Sequence, residues 1–285
     1  MRADVEIRPL HEDDLARVHE VNMAAFIALD PDDPRPLPDP ERAQIRLRRI
    51  LASDPGGCWV AVRDGDVAGC ALAIVRDGVW GLSLLFVDPA VQSGGVGREL
   101  LARAYAYGNG ARGWIILSSE DPRALRAYRR LGLTLDPCVA AEGRPEVAAP
   151  PEVRIGTAED LPLTIAVDRA ARGAAHGEDI LAMLEAGLTL LVAPGGGYAM
   201  VREDRVYLLA AFDDAAARTV LHGALAHLAD TGRENAHVEW LTARQQWAID
   251  ACLDAGLRLH AHDGAVFTAG DVGPLRPYIP SGAYL

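Results

Sequence analysis

Apolar positions along the chain recur with two periods. From about Asp13, Leu15, Val18, Ala25 and Leu29 share one face at helical spacing, and a second helical stretch lies around Arg42–Leu51. A loop rich in Pro and Asp, Asp30 to Pro40, separates them. Short apolar runs at Val5–Arg8, Trp59–Arg63, Val67–Val75 and Val79–Val87 read as strands. Asp64-Gly65 and Asp77-Gly78 join the last three, and each pair tolerates the positive φ of a tight hairpin. These three strands are therefore predicted to be antiparallel neighbours. After Asp88-Pro89 a glycine cluster leads into a helix, Gly97–Tyr107, followed by a strand at Trp114–Leu117 and a helix at Pro122–Leu131. Strand, helix and strand in that order predict a parallel crossover. The first half is expected to be a mixed sheet with helices on its faces, an α/β fold.

The same order then returns. Residues Pro137 to Pro151 are rich in Pro, Ala and Glu and read as a linker. Val153–Ile155 is a strand, and Glu159-Asp160-Leu161 echoes Asp13-Asp14-Leu15. Helices follow up to Ala186. The runs Leu188–Ala193, Tyr198–Arg202 and Val206–Phe212 repeat the three-strand meander. A helix from about Asp213, a strand at Val238–Leu241 and a helix at Gln245–Ala255 complete the copy, and Ala255-Gly256-Leu257 stands where Leu131-Gly132-Leu133 stood. Two tandem domains are expected, 1–140 and 152–285, which suits a chain of 285 residues.

Half the residues are apolar and 24% are charged, the balance of a globular protein with a real core. The net charge of -12 argues against nonspecific nucleic-acid binding, which needs a basic face. Met1 to Asp14 carries no apolar run, and no stretch is long enough to span a bilayer, so neither a signal peptide nor a membrane partner is expected. The four cysteines, Cys58, Cys70, Cys138 and Cys252, have no paired spacing and read as small apolar residues in a reducing cytoplasm. All 28 basic residues are arginine, which excludes Schiff-base chemistry and a P-loop lysine. His260 and His262 have strand spacing but no third ligand, so they read as strand histidines and no metal site is expected. Gly195-Gly196-Gly197 precedes a strand, not a helix, and lacks the geometry for phosphate.

The informative segment runs from Phe86 and Val87 through Asp88-Pro89-Ala90-Val91-Gln92-Ser93-Gly94-Gly95-Val96-Gly97-Arg98. An apolar strand ends, a glycine turn follows and an amphipathic helix begins. Glycines let a backbone close on a ligand, and the first amides of a helix point outward unpaired, so the turn suits a pyrophosphate. Gln92-Ser93-Gly94-Gly95-Val96-Gly97 resembles the Gln/Arg-x-x-Gly-x-Gly/Ala motif of the Gcn5-related N-acetyltransferases. Downstream, Ala124-Leu125-Arg126-Ala127-Tyr128-Arg129-Arg130-Leu131-Gly132-Leu133 resembles that family's Ala-x-x-x-Tyr-x-x-x-Gly-Phe segment.

The resemblance implies acetyl-CoA as co-substrate and an amine of a small-molecule acceptor as its target. It places the cofactor against Phe86, Val87, Gln92, Ser93, Gly94, Gly95, Val96, Gly97, Arg98, Asp121 and Ala124. It sets the thioester carbonyl near the backbone amide of Val87, which can stabilise the developing oxyanion. It makes Tyr128 the acid that protonates the departing thiolate. Two positions depart from the family. Asp121 stands where an Asn often contacts the pantetheine arm, and the strand Val79–Val87 holds no acid. The base is then water, a more distant group or one from the second domain. The tail Pro277–Leu285 is apolar enough to dock in a cleft. The chain also resembles the larger enhanced-intracellular-survival acetyltransferases, which implies a catalytic role for the carboxylate of Leu285. A cationic acceptor would pass Asp30, Asp32, Asp33 and Asp39. In the second copy Asp213-Asp214-Ala215-Ala216-Ala217-Arg218 replaces the glycine turn, so that copy is expected to be degenerate. The protein is expected to be a monomer or homodimer. The rival expectations are a longer acyl-CoA donor and a non-catalytic acyl-CoA sensor or scaffold.

Overall fold

The structure is a computed structural model that describes residues 5–29, 39–92, 94–193, 195–232, 235–261 and 264–285. The chain divides into two units, the first made of Met1–Val75 and Trp80–Ala111, the second of Arg76–Val79 and Arg112–Leu285.

The first unit holds β1 (Val5–Pro9), α1 (Leu15–Leu29), α2 (Pro40–Ser53), β2 (Cys58–Arg63), β3 (Asp66–Arg76), β4 (Val79–Val87) and α3 (Val96–Tyr107), with strands ordered β1-β2-β3-β4. The hairpin turns form as the sequence predicts. Asp64 and Gly65 have φ of 53° and 84°, and Asp77 and Gly78 have 45° and 79°. Val18, Ile50, Val60, Leu72 and Leu100 are fully buried, and the buried indole of Trp80 donates to Ala104 O at 2.9 Å. The start of α1 is fixed by Asp14, which accepts from His11 N at 2.9 Å and pairs with both terminal nitrogens of Arg8 at 2.7 and 2.8 Å.

The second unit continues with β5 (Gly113–Ser118), α4 (Pro122–Arg130), β6 (Thr134–Pro137), β7 (Val139–Gly143), β8 (Arg154–Ile155), α5 (Leu161–Arg172), α6 (Asp179–Glu185), β9 (Thr189–Ala193), β10 (Gly197–Arg202) and β11 (Arg205–Ala211). It ends with α7 (Asp214–Asp230), β12 (Ala236–Leu241), α8 (Gln246–Asp254), β13 (Arg258–His260), β14 (Ala265–Gly270) and β15 (Tyr278–Ile279). The helix-start device of the first copy recurs here. Asp160 accepts from Thr157 N at 2.9 Å and pairs with Arg154 at 2.6 Å. The antiparallel meander β9-β10-β11 also recurs, with β12 parallel to β11.

Two strands cross between the sequence halves. β14 lies between β5 and β6, pairing Phe267 with Ile116 on one side and Leu135 on the other. β7 lies between β12 and β13, pairing Ala141 with Val238 and Leu259. The stretch 137–151 is therefore not a plain linker, because Val139–Gly143 is a sheet strand. Composition misled there because pairing of a short strand with residues more than 90 positions away leaves no local signature. No helix among the described residues is long and apolar enough to cross a membrane.

Phe267 is fully buried at the centre of the exchanged strand. Phe267→Ala should destabilise the protein by about 3–5 kcal/mol, the usual cost of emptying an aromatic core site. A urea melt should show a lower midpoint with an unchanged slope.

Candidate active site

β4 ends in a braced turn. Asp88 N donates to Ala68 O at 2.9 Å, tying the strand end to β3. Asp88 Oδ1 accepts from Ala90 N at 2.8 Å and caps the single 3-10 turn Pro89–Val91. Gln92 folds back so that its Nε2 donates to Val87 O at 3.0 Å. Gly95 then adopts the left-handed conformation, φ 91° and ψ -2°, as the N-cap of α3, and among the described residues no side chain caps that helix. The amides that open α3 thus have no side-chain cap from the described residues. A Cβ on Gly97 would sit 3.3 Å from Val87 Cγ2, so the helix start and the strand end are in close approach. Phe86 and Val96 are buried beneath the turn, while Gly94, Gly95 and Arg98 face solvent. The structure thus gathers Phe86, Val87, Gln92, Gly94, Gly95, Val96, Gly97 and Arg98 into one turn. Ser93 lies outside the described residues.

In the second unit, α4 carries Asp121, Ala124 and Tyr128. Asp121 is the N-cap; it accepts from Arg123 N at 2.8 Å and pairs with the Arg123 side chain at 2.7 Å. That hydrogen-bonded guanidinium holds the Asp121 carboxyl below its usual range. Tyr128 is 5% exposed and meets Phe267 edge to face at 5.4 Å. Its hydroxyl makes no hydrogen bond to the described residues. Burial, and then the charge of Asp121, push the phenol above its usual value, so it stays protonated at neutral pH.

The helix starts of the two copies differ in sign. Where Gly95 leaves α3 open, Asp213 caps α7 by accepting from Ala216 N at 2.8 Å. Asp214 follows and pairs with Arg276 at 2.7 Å. Two carboxylates at a helix start repel a phosphate, and one already occupies the amide it would need.

Sequence reading passed over two polar side chains on α1. His19 and Asn22 are 9% and 7% exposed, and Asn22 Oδ1 is buried without a hydrogen-bond partner among the described residues. α1 also packs on the 3-10 turn Pro89–Val91. Burial, and then the Arg46 guanidinium, hold the His19 imidazole below its usual value. The available signal was a polar pair at i, i+3 among apolar positions. Leu285 is 1% exposed, and its O lies 3.1 Å from His176 Nε2. Asp39 caps α2, accepting from Arg42 N at 3.0 Å, whereas Asp30, Asp32 and Asp33 lie outside the described residues. His260 pairs with Glu142 at 2.9 Å, and His262 is outside the described residues. Among the described residues no group of three side chains could hold a metal. All four cysteines are buried and none forms a disulfide with a described residue, and burial pushes the thiols of Cys58 and Cys252 up to about 12, so neither is a nucleophile at neutral pH.

Residues 16–133 match the acetyltransferase (GNAT) family. No curated protein matches the chain. Among solved structures, a Pyrococcus horikoshii protein described as a candidate acetyltransferase aligns with a TM-score of 0.79 at 16% identity, over 100% of this chain and 96% of that one. A GCN5-related N-acetyltransferase of Sphaerobacter thermophilus aligns at 0.59 and 17% identity over 98% of both chains. A tandem GNAT protein from the clavulanic acid biosynthesis pathway aligns at 0.59 and 14% identity, over 94% and 99%. Identities this low speak for the fold. The family match lies within residues 16–133, and the whole chain has the fold of these structures, an α/β architecture of two tandem acetyltransferase-like copies.

His19 should titrate below the usual histidine value of about 6.5. The folded protein binds this proton less readily than the unfolded chain. The His19 contribution therefore favours folding above about pH 6.5 and is lost as pH falls toward the depressed value. An imidazole NMR titration, with His19→Gln to assign the resonance, checks both the direction and the window.

Proposed function

We propose that the first copy transfers an acetyl group from acetyl-CoA to an amine of a small-molecule acceptor. The observation that carries this reading is the glycine turn at Gly94, Gly95 and Gly97, opening onto the start of α3, which no described side chain caps. Outward amides and a helix dipole there suit the pyrophosphate of the cofactor. The neutral amine nitrogen attacks the thioester carbonyl, and the Val87 amide is assigned to the oxygen on which charge develops. The carbon–sulfur bond breaks, and the thiolate takes the proton of Tyr128. Two properties support Tyr128 as that acid: its phenol is held protonated, and its hydroxyl is not engaged by the described residues. The amine must also lose a proton, and β4 offers no acid to receive it. We assign this step to His19, directly or through water, because it is kept neutral and lies on the helix that packs against the motif turn. We do not assign it to Leu285, whose oxygen is within hydrogen-bond distance of His176.

Calorimetry should find one equivalent of CoA per chain. Gly95→Val places a branched residue at positive φ, and Gly97→Val crowds Val87, so each should lose measurable binding while remaining folded. Unchanged affinity in both variants would refute the turn as the cofactor site.

Tyr128→Phe should keep CoA affinity and lose turnover by about 10²-fold, the scale of a general acid. The readout is free CoA thiol released on mixing with acetyl-CoA and a panel of amines. The absent acid on β4 favours one rival, a non-catalytic sensor. Tight binding without thiol release from any amine would establish it.

A further inference from the structure

β11 has two edges. β10 fills one along its whole length, from Gly197 opposite Ala211 to Arg202 opposite Arg205. On the other edge β12 pairs in parallel only at Arg205 and Val206. Beyond them the two strands part. On its far edge, against β7, the register of β12 shifts between Val238 and Leu241, and Trp240 sits in that shift at φ 63°, a costly conformation for a bulky side chain. Where parallel strands part inside a fold, the facing amides and carbonyls lose their ladder partners and must find others.

The partner is β15. Leu209 pairs with Ile279 and Ala210 with Tyr278, and Ala211 N donates to Pro277 O at 3.2 Å. Because β10 holds the opposite edge, β15 stands in the opening that β12 vacates. Its two side chains alternate across the sheet. Ile279, 1% exposed, joins the core cluster of β11, β12, α7 and α8. Tyr278, fully buried, turns the other way, 6.2 Å from the His176 ring with the Arg172 guanidinium 5.7 Å from its centroid. His176 Nδ1 lies 2.9 Å from Asp168, which also accepts from Tyr198 at 2.5 Å. His176 Nε2 lies 3.3 Å from the Tyr278 hydroxyl and 3.1 Å from Leu285 O. The segment is also held at its near end, where Gln245 Nε2 donates to Leu275 O and Arg276 N donates to Ala171 O.

We propose that the cleft between β11 and β12 is a peptide-binding site and that residues 275–285 are its resident ligand. The site reads an extended segment through backbone pairing with β11. It takes an aromatic side chain into the pocket floored by His176 and Asp168, and an aliphatic one into the core on the opposite face. Charge selects a cationic peptide here over a phosphorylated cofactor, because Asp214 at the start of α7 receives Arg276 of the segment. The inference rests on strand register in the second copy and stands apart from acetyl transfer.

The test uses the full chain carrying Tyr278→Ala and Ile279→Ala together, with a fluorescent synthetic peptide of residues 274–285. The double variant should melt lower by roughly 10 °C or more. It should bind the peptide saturably, whereas the unaltered chain should not, and saturation should restore its melting temperature. A peptide with the same two alanines should do neither. An unchanged melting temperature, or a lowered one that the peptide does not raise, overturns the proposal. Should the double variant not fold, native-state hydrogen exchange of the unaltered chain decides. Protection of the Ala211 and Arg276 amides equal to that of β10 supports a seated ligand, and exchange at the rate of a fraying tail overturns it.

Discussion

Backbone amides at the start of a helix, and backbone groups where two strands part, have no partner within their own element. Each copy of this protein answers that requirement differently. In the first copy α3 begins at a left-handed glycine, and no side chain among the described residues caps its amides. In the second, Asp213 caps α7 and β15 fills the opening beside β11. A glycine turn without a side-chain cap among the described residues and a cleft filled by the chain itself are two solutions to one accounting problem. The difference of a few residues, Gly94-Gly95-Val96-Gly97 against Asp213-Asp214-Ala215-Ala216, fixes which solution each copy has.

What was legible in the sequence was local. The Asp-Gly hairpins, the alternation of the meanders and the glycine turn each depend on neighbours a few positions apart, and each formed as read. The duplication was legible for the same reason. Arg8 with Asp14 and Arg154 with Asp160 are spaced alike and build the same ion pair before the same kind of helix. The strand exchange was not legible. β7 and β14 are short, and their pairing is set by partners far along the chain, so neither composition nor period marks them.

The candidate site divides the same way. Motif residues were visible because backbone approach demands glycine, and the register of Tyr128 was visible from the segment around it. His19 and Asn22 were not, because a polar residue on an amphipathic helix ordinarily marks the solvent face, and only packing shows these two to be buried. The phenol of Tyr128 could equally have been a core tyrosine bonded to a backbone carbonyl. Its lack of such a bond to the described residues is a property of the folded surroundings, not of the sequence segment.

The exchange also bears on why a copy without the glycine turn accompanies one that has it. β14 comes from the second half of the sequence, yet it stands between β5 and β6. Its Phe267 is fully buried and sets its ring against that of Tyr128. An edge-to-face contact fixes ring orientation as well as burial. The tyrosine on α4 therefore takes its aromatic neighbour, and part of the burial that keeps its phenol protonated, from the other copy. Reciprocally, β7 from the first half pairs with β12 on the edge away from the opening that receives β15. Losing the second copy would leave β5 and β6 with bare edges and Tyr128 without its neighbour. Losing the first would remove β7 from beside β12. A copy can lack the glycine turn and still be required, because what it supplies to its neighbour is a strand and a ring.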